Sequence, residues 1–107
     1  MPSDTSSTAN GTPGASDVLS LPQVLDLTVV HALKENLLDR VTNAPSLVID
    51  ASEVEKIGSA AIQLLHAASV SMQGQGKPVS VKEPSSAFVQ GFKDIGFGAD
   101  LENWSVI

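Results

Sequence analysis

Apolar residues fall along this chain as short runs alternating with helical stripes. Val18-Leu19-Ser20-Leu21 predicts a short strand, which Pro22 ends or confines to a sheet edge. Val24-Leu25-Asp26 predicts a second strand, and Thr28 is placed to cap a helix running to about Val41. On that helix Val29, Val30, Leu33, Leu37 and Val41 share one side, with Leu38 at its margin, while His31, Glu35 and Asp39 share the other. Leu47-Val48-Ile49 is short, apolar and β-branched, as a buried strand should be, and Asp50 follows where that strand meets solvent. Gly58-Ser59 then turns into a long Ala- and Leu-rich helix that Gly74-Gln75-Gly76 ends. Pro78-Val79-Ser80-Val81 predicts the next strand. A Ser-Ser start after Pro84 opens a helix with a Phe88/Phe92/Ile95 stripe, and Gly96 stops it. Leu101–Ile107, with Trp104, predicts a last short strand or a packed extension. Strands alternating with helices predict an α/β layer fold.

The helix from Ser59 has two unlike faces. Ala60, Ala61, Leu64, Leu65, Ala67, Ala68 and Met72 gather on one arc, whose alanines permit close approach to a sheet. The opposite arc carries Ser59, Gln63, His66, Val70 and Gln73, with Ile62 at its edge, and no charged residue. A neutral, semi-apolar surface of this kind suits a transient protein contact, although single apolar residues on helix surfaces are common. Ser59 reads two ways: as an N-cap receiving a backbone N–H, or as a phosphorylation switch. A phosphate there would meet the unpaired N–H groups of the helix start and add about −1.5 to −2 charges to the neutral arc.

Composition narrows the function further. Residues 1–16, dense in Ser, Thr, Pro and Gly, predict a disordered tail rather than a signal peptide, and leave residues 17–107 for one domain. The formal charge of −6, from twelve acidic and six basic residues, argues against nucleic acid and against anionic lipid as partners. No run reaches transmembrane length, and the absence of cysteine removes disulfide and thiolate–metal chemistry, in keeping with a cytoplasmic location. His31 and His66 lie on different helices, and no serine elbow, Walker loop or dinucleotide fingerprint occurs. His66 with Glu53 or Glu55 matches no metal-ligand spacing, and Asp50 lacks the acidic and lysine companions of a phosphoryl-accepting site. No catalytic residue, metal or cofactor is expected.

Leu47-Val48-Ile49-Asp50-Ala51-Ser52-Glu53-Val54, then Ile57-Gly58-Ser59-Ala60-Ala61-Ile62-Gln63-Leu64-Leu65, resembles the core signature of STAS domains, the sulfate-transporter and anti-sigma-factor-antagonist modules. The likeness extends over roughly Val18 to Leu101. It implies an α/β fold with a mixed four-to-five-stranded sheet and helices mainly on one face. In that family an Asp-Ser-Ser-Gly-type turn carries a serine that a partner kinase phosphorylates. Ser59 takes that serine's place, while Gly58 stands where the acidic residue would be and Ala60 and Ala61 replace the following Ser and Gly. The implied function is a non-catalytic bacterial signalling module, monomeric or weakly dimeric, linked to chemotaxis or stress signalling. Its implied partner is an anti-sigma factor or a GHKL-type serine kinase, docking on Asp50, Gly58, Ser59, Ile62, Gln63, His66 and Val70. The resemblance leaves two alternatives: a constitutive STAS subunit of an ABC-type lipid transport complex, and a domain binding a small ligand such as a nucleotide or lipid.

Overall fold

The computed structural model describes residues 18–107, so the tail expected at 1–16 lies outside the described residues. Strands are β1 (Val18–Ser20), β2 (Val24–Leu25), β3 (Leu47–Asp50), β4 (Lys56–Ile57), β5 (Val79–Lys82) and β6 (Ser105–Val106). Helices are α1 (Leu27–Asn43), α2 (Ser59–Gly74), α3 (Ser86–Asp94) and α4 (Gly98–Asn103). The main sheet has four strands in the order β1-β3-β5-β6, and β2 and β4 form a separate pair. Every ladder among the described residues is parallel. Pro22 lies just past β1, which stands at one edge of this sheet among the described residues.

Period-two burial orients the main sheet. Leu47, Ile49, Val79 and Val81 are buried on one face, while Val48, Asp50, Ser80 and Lys82 turn to the more open one. The buried face meets Leu33 and Leu37 of α1, Ala61, Leu65, Ala68 and Met72 of α2, and Phe88 and Phe92 of α3. Trp104, 3% exposed, closes this core edge-on against Phe92, with ring centroids 5.4 Å apart.

Local chemistry sets the helix starts, and in two places it differs from expectation. The cap of α1 is Asp26, not Thr28. Its carboxylate accepts the Thr28 N–H at 3.0 Å and the Thr28 hydroxyl at 2.5 Å, so Thr28 is the capped residue. Ser59 is not a cap either: Gly58 holds that position, and α2 has no side-chain cap. At α3, Ser85 accepts the Phe88 N–H at 3.1 Å and donates to the Val54 carbonyl at 2.6 Å, tying the helix start to the loop after β3. The Phe88/Phe92 stripe is buried, but Ile95 falls one residue past the helix end and is 38% exposed. Gly96, at φ +87°, makes the left-handed turn that ends α3.

The buried arc of α2 is rotated from the one expected. Ala60 and Leu64 are half-buried and Ala67 is exposed, because this flank meets α1 rather than the sheet. Ile62 and Ser69 are buried instead. The cause is α3, whose Gly91 approaches so closely that a Cβ there would lie 3.3 Å from Ile62 Cδ1.

Candidate functional site

The β2–β4 pair builds the site. Its register sets Val24 against Lys56 and Leu25 against Ile57, and the Gly58 N–H donates to the Leu25 carbonyl at 2.9 Å. Each of these two-residue strands runs straight into a helix: β2 into α1 through the cap Asp26, β4 into α2 through the cap Gly58. Two helix N-termini are therefore brought side by side, with Asp26 level with Gly58 and Leu27 level with Ser59. At α1 the Thr28 N–H is taken by Asp26, whereas the first N–H groups of α2 receive no side-chain cap and the positive end of its dipole is left uncompensated.

Between them lies an open cleft of about 290 Å³, lined by Leu25, Asp26, Leu27, Val30, Gly58, Ser59, Ala60 and Ala61. Ser59 is exposed and its hydroxyl makes no hydrogen bond among the described residues. Leu27 beside it is 80% exposed, the most exposed large apolar side chain of the described residues. Hydrogen bonds from the Thr28 hydroxyl and then the Thr28 N–H hold the Asp26 carboxyl below its ordinary value, so it is ionised at neutral pH. Gly58 has φ −87° and ψ 162°, ordinary extended backbone that any residue adopts, so the turn does not depend on glycine.

Of the remaining expected contact residues, Gln63 and Val70 lie exposed along α2, Val70 at 54%. The outer arc they share, with Ala67, Ser71 and Gln73, carries no charge. Ile62 does not belong to it. At 1% exposure it is core, packed under α3, and is corrected from contact residue to buried residue. His66 is engaged within the chain: its Nδ1 pairs with Asp100 Oδ2 at 2.5 Å and its ring stacks on Phe97, with centroids 4.4 Å apart and planes at 14°. It ties α2 to α4 and is half-buried rather than solvated. Asp50 lies outside the cleft. It accepts the Ser52 N–H at 3.0 Å and the Ser52 hydroxyl at 2.7 Å, bonds that in that order of weight lower its pKa and that shape the turn after β3. No three His, Asp or Glu side chains converge to hold a metal among the described residues. No helix there is long and apolar enough to cross a membrane.

Asp26 and Leu27 are site residues that the sequence reading misses. Their place depends on a ladder of two dipeptides, too short to show periodicity, and only the register of that ladder sets them beside Ser59.

Comparison with known proteins agrees with this architecture. A family model described as "Mlab, STAS domain" matches residues 8–102. A crystal structure of a protein described as an anti-sigma factor antagonist, from Thermotoga maritima, superposes with a TM-score of 0.66. The alignment covers 84% of this chain and 78% of that one, at 17% sequence identity, so the likeness is one of fold. The search of curated proteins finds no match.

Proposed function

The chain belongs to the STAS domain family, and from that premise we propose that it is a non-catalytic bacterial signalling module of the anti-sigma-factor-antagonist kind. In this reading it acts in the cytoplasm and docks an anti-sigma factor or a GHKL-type serine kinase. Docking uses the Ser59 cleft and the uncharged arc of α2, through Asp26, Leu27, Gly58, Ser59, Gln63 and Val70. Phosphorylation of Ser59 is the switch. The observation that carries the proposal is the pairing of two helix N-termini beside one exposed hydroxyl that is unbonded among the described residues. A kinase can reach that hydroxyl without first breaking a cap.

Physical chemistry supports a fold-neutral switch. The first turn of α2 has no acidic residue and no side-chain cap, so a phosphate on Ser59 would meet free N–H groups and the positive end of the dipole. Such placement stabilises a helix by about 0.3–1 kcal/mol. The same phosphate would join the Asp26 carboxylate in one cleft and take its charge from about −1 to about −3. A partner selected for the unmodified surface then meets like-charge repulsion, which costs several kcal/mol when juxtaposition is close. Asp26 thus supplies, from the neighbouring strand exit, an acidic group that Gly58 does not.

The test is titration of the isolated kinase or anti-sigma partner with three forms of the chain. Ser59→Asp is expected to weaken capture at least about tenfold, about 1.4 kcal/mol. Ser59→Ala is expected to bind like wild type and to unfold within about 0.5 kcal/mol of it, because no hydrogen bond is lost. Equal capture of wild type and Ser59→Asp would end the switch.

A second reading is a constitutive STAS subunit of an ABC-type lipid transport complex. Gly58, which puts no acid next to Ser59 in the chain, favours it. Co-purification with an ABC ATPase, without phosphate incorporation, would select it.

A further inference from the structure

Farther along the α1–α2 seam lies a second depression, separate from the Ser59 cleft. Its floor is Leu37 and Ala68 and its walls are Val41 and Leu64. Leu38, 55% exposed, stands at the mouth with Lys34, Ala67 and Ser71. The slot exists because consecutive alanines on α2 are too short to fill the space left by the leucines of α1. Its volume of about 170 Å³ decides what it can hold. Small-molecule pockets run from roughly 300 to 1,000 Å³, so this one is too small for a cofactor or drug-sized ligand. It has the scale of a socket for a single anchoring side chain, the unit from which protein interfaces draw most of their affinity.

Charge at the mouth narrows the occupant. The chain has six basic residues against twelve acidic ones, and one of the six, Lys34, stands at this apolar slot. Lys34 makes no ion pair or hydrogen bond among the described residues. The α2 side of the mouth, Ala67 and Ser71, is uncharged. A segment seated here therefore meets apolar surface and one unmatched ammonium. The chain's net charge of −6 opposes any acidic partner at long range, so the preference for a carboxylate is a short-range one, set by Lys34 at the mouth.

We propose that the α1–α2 slot is an anchor pocket for an acidic, amphipathic helix of a partner protein, which seats one apolar side chain over Leu37 and Ala68 and sets a carboxylate one turn away against Lys34. Buried apolar contact at the anchor holds the complex, and the rim pair orients it. The contact lies beyond the phosphorylation site and does not require it.

The probe is a random peptide library displayed on phage and selected on the full chain, with the enriched peptides then made and titrated calorimetrically. The expected peptides carry Asp or Glu three or four positions from a Leu, Ile, Met or Phe. Ala67→Glu and Lys34→Glu are expected to weaken them at least about tenfold, whereas Ser59→Asp leaves their affinity unchanged. Selection on Lys34→Glu should replace the acid with Lys or Arg. Trp104 fluorescence and circular dichroism verify that each variant is folded; all three substituted side chains are exposed. The proposal is overturned if no peptide is enriched, if the peptides lack an acid, or if they ignore Ala67→Glu. It is overturned equally if Ser59→Asp abolishes their binding, or if the wild type dimerises through the slot and Leu38→Glu makes it monomeric. Because Ser59→Asp is a control here and the decisive variant for the switch, the two readings fail separately.

Discussion

At the scale of single residues, the site rests on two adjacent caps of unequal quality. Asp26 caps α1 with two hydrogen bonds, while Gly58 leaves α2 uncapped. A Cβ built on Gly58 would meet only the Leu25 carbonyl oxygen, at 3.4 Å, so a side chain fits there. Gly58→Asp is therefore expected to raise stability by about 0.5 kcal/mol, through a cap and a favourable dipole interaction that proximity to Asp26 partly offsets. Urea denaturation measures this, and a loss would mean that the two carboxylates repel more than the cap gains. The acid side of the stability curve reports on Asp26 and Asp50. Both pKa values are depressed on folding, by bonds to Thr28 and to Ser52 respectively. Each group thus stabilises the fold above its unfolded value, and that contribution disappears as pH falls through the folded value. Stability should decline below roughly pH 4, and Asp26→Asn with Asp50→Asn should flatten the decline. Thr28 shows why the cap of α1 was illegible from sequence. Asp26 and Thr28 are both good caps, and nothing in the order Asp-Leu-Thr says which of them receives the N–H.

Between elements, the decisive contact is the close approach of α3 to β4 and α2. A Cβ on Gly91 would lie 2.6 Å from Ile57 Cγ2, on a branched side chain with little room to withdraw. Alanine gains up to about 1 kcal/mol over glycine within a helix, yet overpacking of this kind costs about 1–3 kcal/mol. Gly91→Ala is expected to lose about 1 kcal/mol net in thermal denaturation, and to shift the NMR signals of Ile57 and Ser59 because β4 is displaced. A stabilised variant would show that α3 can slide. The same contact explains what patterning could and could not convey. The main helices and the strands at Leu47 and Val79 were legible because their periods are long or their runs strongly apolar. The strand at Val24 was legible too, but its partner β4 and the six-residue α4 were not, being too short to carry a period. Ile62 was misplaced because a wheel drawn for one helix on one sheet knows nothing of a third element on its flank. The pairing of His66 with Asp100 was illegible for the same reason, since Asp100 belongs to that unforeseen helix.

Over the whole molecule, one aromatic chain closes the core. Phe88, Phe92 and Trp104 pack in sequence, with centroids 4.9 Å and 5.4 Å apart. The Trp104 Nε1 is buried with no partner among the described residues, so its value lies in its bulk rather than its polar atom. Trp104→Ala is expected to cost about 3–5 kcal/mol and Trp104→Phe much less, measured by guanidinium unfolding. Similar losses for the two would assign a role to the indole N–H. The all-parallel pairing also bears on how the chain reaches its fold. Among the described residues no ladder can close as a hairpin, since each pair of neighbouring strands is separated in sequence by a crossover. The entropy of closing those loops must be lost before any ladder rewards it, so helical segments gather ahead of the strands. Refolding should run in the slow range of mixed α/β domains rather than at the microsecond rates of helical bundles, with Trp104 burial, followed by stopped-flow fluorescence, reporting the moment the sheet closes.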